Sequence, residues 1–591
     1  MKLPRLGMIY AIISQGRIPE LSAVQRMISM ILFDNIADQK IYDRLQPVGL
    51  CLSYQTSLEV LHIFGAGSFN IKLVEAIKAG KVIRLVGDNV NFSVKVTDQH
   101  QSTEGKTKFM LIRKTILHFQ TMHHAFASAA LINHFNFNHL PDHKPQPNNL
   151  TVQDFLVNEA DLKNIRQVYT ILIASYESIL QEAFGACELP LSSIQIGGDQ
   201  LTRERFSGAK CLRAGAADIA SRFGHLSPIT FEMFHLLMNF LITFNKILFK
   251  NCSSKEIGTL KCEVDRLMRT NFDEDVRKAY DADKDFIVSF VDAHLVELMR
   301  DFFGMEDIYS PLQKHVPPEF ENDEMKKRWV FATFGELVDT IVASNQPQSA
   351  TSDDVIDDGQ FVVLKLSSGK IIHVPVVKHH ASTTPETDLE DTVFNYASIV
   401  VEMGLVYKEL IDLCKLPDRE RLIRVMKQCM IIFKAKSNNS KYALECHRFL
   451  VQHLVLMSER ESTKVIHSLF VNTTGSPHSH IPADLQMEYL VKDIKKHMKH
   501  MFSNKTMSNI ATRTRGLSCL KSIAEQYDTQ TYVKARAKKH QRGSYFDDEL
   551  VLVKDLQQLQ PFQNQPGRFH SSFPKMHKTM LKYLDIDHFH D

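Results

Sequence analysis

Twice in the N-terminal part of this chain a short apolar run stops at glycine and is followed at once by an aspartate: IRLVGDN at 83–89 and IQIGGDQLT at 194–202. Runs of this length and composition read as strands, and two of like design can lie side by side in one sheet. Each would then end in a carboxylate, Asp88 on the first and Asp199 on the second. Neighbouring carboxylates repel unless a divalent cation sits between them, so a pair placed this way makes physical sense as a metal site. A purely local reading stays open beside it. Asp-Asn after glycine is a good turn, and Asp199 can cap a helix beginning in DQLTRERF.

The surrounding segments set the fold class. Residues 1–80 carry helical spacing, with Gly80 as a C-cap. KVIRLVGDNVNFSVKV (81–96) and KFMLIRKTILHF (108–119) read as strands, NHLPDHKPQPNNL (138–150) as a break, and LKNIRQVYTILIASYESILQEAF (162–184) as a helix. Strand, strand, long connection with helix, strand is the order of a mixed α/β domain. FEMFHLLMNFLITFNKILF (231–249) reads as a buried helix, and helices continue to 345, where the polar segment 345–360 forms a linker. FVVLKLSSGKIIHVPVV (361–377) is a hairpin signal, and helices resume from 393.

At 591 residues, 44% hydrophobic and 23% charged, the chain is globular and too long for one core. Its net charge of +2 points to no class of partner by itself. Nine cysteines without a CxxC pair give neither a zinc ribbon nor a disulfide framework, which fits the nucleus or the cytoplasm. The N-terminal apolar patch is broken by Ser14, Gln15 and Gly16 and reads as a helix, not a signal peptide. No run approaches the roughly 18 apolar residues of a membrane span.

A third acid comes late. In HIPADLQMEYLVKDIKKHMKH (480–500), Pro482 and Asp484 read as a helix start, and Glu488 lies one turn inside, able to project toward the strands. Two acids on neighbouring strands and one on a late helix is the layout of ribonuclease-H-like nucleases and transposases, which cleave phosphodiesters with Mg²⁺ held by the acids. Mn²⁺ serves the same hard oxygen ligands. Glu488 also reads as an ordinary solvated helix residue, and Asp285, Asp292 and Glu297 are the next candidates for the third acid.

GDQLT, VGDNVNF, PVGLCLSYQTSLEVL (47–61), AYDADKDFIVSFVDAHLVELMRDFFGM (279–305) and VNTTGSPHSHIPADLQMEYLVKDIKKHM (471–498) resemble a eukaryotic family known only as domain of unknown function 6589. The family looks transposon-derived, and the likeness runs over about residues 15 to 510. The resemblance implies a transposase-like protein with a ribonuclease-H-like core: a helical region at 1–80, the first part of the core at 81–240, a mostly helical insertion at 241–470 with the hairpin near 361–377, the returning part at 471–510 and a basic tail at 511–591.

The expected catalytic set is Asp88, Asp199 and Glu488 as metal ligands, with His235 ordering the scissile phosphate or relaying a proton unless it is only a packing residue. DNA is the expected partner, with self-association in addition and no membrane. Lys492, Lys495, Lys496, Lys499, Lys534, Arg536, Lys538 and Lys539 would contact phosphates, or form a solvated face. The alternative to catalysis is a domesticated or decayed relative that binds DNA or protein without chemistry.

Overall fold

The structure, a computed structural model, describes residues 2–66, the strands 82–90, 124–132 and 149–152, residues 194–212, 214–217, 224–345, the strands 361–365 and 371–375, and residues 390–435, 439–472, 475–501, 517–533 and 546–583, with a few isolated positions between them. In chain order, helices α1 (Lys2–Arg17), α2 (Ala23–Asp34), α3 (Gln39–Leu45) and α4 (Tyr54–Ala66) precede strands β1 (Val82–Val90), β2 (His124–Ile132), β3 (Asn149–Val152) and β4 (Ile194–Gly198). Then come α5 (Gln200–Leu212), β5 (Leu226–Phe231), α6 (Met233–Leu248), α7 (Leu260–Arg266), α8 (Val276–Phe303), α9 (Asp323–Asn345) and the strands β6 (Phe361–Lys365) and β7 (Ile371–Pro375). The remainder is α10 (Thr392–Lys415), α11 (Arg419–Lys434), α12 (Ser440–Val451), α13 (Glu459–Ser468), β8 (Phe470–Val471), β9 (Ile481–Pro482), α14 (Ala483–Lys499), α15 (Leu517–Thr531) and α16 (Phe546–Leu559).

The mixed α/β expectation needs its balance corrected: the described residues are mostly helical, with few strands and a small sheet. Its strand order is β3-β2-β1-β4-β5. β1, β2 and β3 pair antiparallel in succession, whereas β4 runs parallel to β1 and β5 parallel to β4. Strand β2, HAFASAALI, carries no strand signal of its own, because its alanines have poor strand propensity, and it pairs on both sides with β1 and β3. Strand β3 takes Asn149 and Leu150 out of the expected break. The expected strand 108–119, most of the helix 162–184 and the Gly80 cap lie outside the described residues.

The chain divides into two compact units. The first comprises Met1–Leu241, Val406–Lys434 and Asn438–Gly543, and the second Ile242–Leu405, Ala435–Ser437 and Ser544–Asp591. In the first unit β4 is buried at every residue, as an interior strand with both faces covered must be. α14 lies against β1 and buries Ala483, Met487, Val491, Ile494 and Met498 in one apolar cluster with Val86 and Val471. Those positions recur at helical spacing, so one stripe of α14 is committed to the core while its lysines face outward. α2, α4 and α15 form a second cluster through Met30, Phe33, Leu61 and Leu520.

In the second unit the Tyr396 hydroxyl donates to the Leu248 carbonyl (2.7 Å) and accepts from the Leu260 N–H (2.9 Å). α8 and α16 share a core of Ala293, Leu552, Val553 and Leu556. The C-terminal segment belongs to this unit, where Arg568 pairs with the buried Asp391 at 2.8 Å. The β-branched runs of β6 and β7 pair antiparallel, Phe361 opposite Pro375 and Lys365 opposite Ile371. Among the described residues no helix is long and apolar enough to cross a membrane.

One buried ion pair explains the first glycine of IQIGGD. Arg84 of β1 is fully buried and pairs with Glu232, just past β5, with the intervening strand β4 crossed at Gly197. A Cβ at Gly197 would overlap both the Glu232 carboxylate and the Arg84 guanidinium. The Gly197→Ala substitution is therefore expected to lower stability by about 3 kcal/mol, as overpacking does in a tight core. Urea denaturation of the full chain checks it, and a loss below about 0.5 kcal/mol, the level of a neutral surface change, would sink the explanation.

Candidate functional site

Parallel pairing of β1 with β4 sets Arg84 against Gln195 and Gly87 against Gly198. The next residue on each side is the acid. Asp88 is within β1, opposite Phe126 of β2, and Asp199 is the first residue after β4. Positions 88 and 199 therefore sit at one level, at the C-terminal ends of neighbouring parallel strands. The Asp199 side chain is half-buried, and its carbonyl accepts the Arg203 N–H (3.0 Å), so the residue also occupies the N-cap position of α5. The Asp88 side chain lies outside the described residues.

His235 enters from α6, whose start depends on a distant residue. Glu232 stands in the N-cap position, its carbonyl taking the Leu236 N–H at 3.2 Å, but its side chain is committed to Arg84. The orphan N–H groups of that first turn find Asp484 instead, from a point 250 residues away in sequence. Asp484 Oδ1 accepts from the Phe234 N–H and Oδ2 from the His235 N–H, each at 3.0 Å. The same Oδ2 lies 3.0 Å from His235 Nδ1. Asp484, expected to start its own helix, sits buried in the first turn of α14 and caps another one.

Glu488 lies one turn further along α14, half-buried and next to Met487, which packs in the cluster containing Val86 of β1. Tyr442 of α12 joins this neighbourhood. Burial pushes its hydroxyl pKa above the ordinary range, and the nearby carboxylates of Asp199 and Asp484 push in the same direction. The Tyr442 hydroxyl thus lies within electrostatic reach of both Asp199 and Asp484, a relation that the sequence does not signal. Close by on α5 and α12, Arg203 pairs with the buried Glu445, which Arg448 reaches at 3.0 Å. In the stretch ECH at 445–447, Glu445 and Cys446 are buried and His447 is exposed.

Among the described residues no group of three or more His, Cys, Asp or Glu side chains is placed to hold a metal ion. Both oxygens of Asp484 are engaged by the first turn of α6. Asp285, Asp292 and Glu297 belong to α8 of the second unit, where Glu297 is buried and accepts from Arg300 at 2.7 Å. Of the basic candidates on α14, Lys492 and Lys499 are exposed and Lys495 is half-buried. Lys496 instead donates to the Asp34 carbonyl (3.0 Å) at the end of α2. Lys534, Arg536, Lys538 and Lys539 lie outside the described residues. His497 stacks on Phe33, ring centres 5.3 Å apart, and burial pushes its pKa down to about 4.

A profile of the family of unknown function DUF6589 matches residues 93–540. The chain belongs to that family. In this DUF6589 member the match includes Asp199, His235, Tyr442, Asp484 and Glu488, whereas Asp88 and the rest of β1 lie just before it. No curated protein and no solved structure matches the DUF6589 chain.

Glu232 supplies a pH test of the buried pair beneath the site. Burial pushes its carboxyl up to about 7, against the attraction of Arg84, and its Oε2 has no hydrogen-bond partner among the described residues. A carboxyl raised in the folded state contributes stability that is full below its ordinary value of 4.5 and is lost as pH rises through about 7. Glu232→Gln removes that titration. Unfolding free energies measured from pH 4 to pH 8 should therefore show the wild type losing ground to the variant across that window; a constant difference would refute the assignment.

Proposed function

We propose that this chain is a metal-dependent phosphodiester-cleaving enzyme of the ribonuclease-H-like, transposase-like kind, acting on DNA. The observation that carries the reading is the parallel register Gly87 to Gly198, which sets positions 88 and 199 side by side. The strand order β3-β2-β1-β4-β5, antiparallel through its first three strands and parallel from β1 to β5, supports it as well, being the order and directions of ribonuclease-H-like sheets.

Two aspartates at the ends of adjacent strands offer the hard oxygen donors that Mg²⁺ or Mn²⁺ takes, and the half-buried Glu488 of α14, the helix packed on β1, is the third acid of the set. Asp88, Asp199 and Glu488 would hold the ion. Such an ion, when bound, stabilises charge on the attacking and leaving oxygens of an in-line displacement. The protein's own part is to fix those carboxylates on rigid strand and helix ends, so that the phosphodiester is aligned before reaction. The outward lysines of α14, Lys492 and Lys499, offer phosphate contacts that would make DNA affinity fall with salt.

Nicking of supercoiled plasmid tests the reading. The wild type with Mg²⁺ or Mn²⁺ should nick, and Asp88→Asn, Asp199→Asn and Glu488→Gln should each lose more than about 100-fold, since even outer-shell partners of metal ligands cost 10–100-fold. Equal nicking by all four proteins would place the activity elsewhere. DNA binding without nicking in any of them would favour a non-catalytic binding protein.

A further inference from the structure

Three donors converge on the Asp484 carboxylate, and only two of them belong to the backbone. The N–H groups of Phe234 and His235 would satisfy an ordinary helix cap, yet the His235 imidazole also turns back and sets Nδ1 against Oδ2 at 3.0 Å. A carboxylate in an ion pair or cap only accepts, so Nδ1 carries the hydrogen. Nε2 of a neutral ring is then the nitrogen that carries the lone pair. The two backbone bonds keep the carboxylate from rotating, and the carboxylate in turn keeps the ring in one plane.

Burial sorts the pair into a front and a back. The Asp484 side chain is 3% exposed and the His235 side chain 14%, so the acid sits behind an imidazole that reaches the surface. Phe234 packs edge-on to the ring, with centres 5.7 Å apart. The neighbouring Glu232 is held by Arg84. A buried acid that fixes the tautomer of a partly exposed histidine is the arrangement by which proton-accepting histidines are made ready.

We propose that Asp484 is a positioning residue that holds His235 with Nε2 directed at the nucleophile of the phosphodiester reaction; this rests on the nuclease reading above. In the step, an O–H bond of water breaks and its proton passes to Nε2. The water oxygen bonds to phosphorus, the opposite P–O bond breaks, and the leaving oxygen keeps the electron pair and takes a proton from solvent. The imidazolium formed is stabilised by the carboxylate behind it.

The test uses the full chain with ¹⁵N-labelled histidine, the His235 signals being identified by their loss in His235→Gln. The wild type should show the Nδ1–H tautomer. Asp484→Asn keeps a carbonyl oxygen for the Phe234 N–H and gives up only the His235 N–H bond, so circular dichroism should still report a folded chain, while its amide in the place of Oδ2 can donate to Nδ1 and shift the hydrogen to Nε2. Plasmid nicking should then fall by about 10³- to 10⁴-fold, the scale of a lost tautomer in a histidine–aspartate pair. An Nε2–H tautomer in the wild type overturns the proposal, whatever the nicking shows. So does undiminished nicking by Asp484→Asn and His235→Gln while the wild type nicks, which leaves the nuclease reading intact. No nicking by the wild type ends the nuclease reading and the catalytic role of the pair together, and the tautomer then reports a structural clasp alone.

Discussion

The buried ion pair between Arg84 and Glu232 ties together the three parallel strands on which the candidate site stands. Arg84 belongs to β1, Glu232 follows β5, and the pair crosses β4 where Gly197 has no side chain. The guanidinium also donates to the Thr230 hydroxyl (3.1 Å) and to the Ser468 carbonyl (3.2 Å). Leaving one partner of such a pair alone in the core costs about 3–5 kcal/mol, so a slipped register among these strands is heavily disfavoured. That register decides whether positions 88 and 199 are neighbours.

The ion pair has a second consequence, for α6. Because the Glu232 side chain is spent on Arg84, the helix that begins with the next residue has no cap of its own. Asp484 supplies it, and in doing so joins the first turn of α14 to the first turn of α6. The apolar stripe of α14 against Val86 orients the same helix from its other contacts. Sheet register, helix cap and histidine orientation are therefore linked through three buried charged residues, and a change at one is felt by the others.

Much of this was legible in part. The twin endings IRLVGDN and IQIGGDQ marked two strands, and the structure sets them parallel and adjacent. The apolar stretch at 231–249 holds a helix, Met233–Leu248, buried almost all round as its composition requires, with Phe231 before it ending β5. Asp484 was visible only as a helix start, since proline followed by an acid is a local signal and says nothing of a second helix. Tyr442 carried no signal at all: one tyrosine in an amphipathic helix reads as core. Arg84, a charge inside an apolar run, was the one overlooked residue with a usable mark, because a buried arginine requires a partner.

What the amino-acid sequence determined by itself is local: which segments are strands or helices, where glycines end them, and that an acid follows two of the strands. Periodicity and turn chemistry act over a few residues, so a linear reading can recover them. Which distant groups meet was decided by tertiary structure alone. Phe234 and Asp484 are separated by 250 residues, and no local rule selects a partner over that distance. Only the closing of the sheet, with its charges paired and its helix ends satisfied, does so.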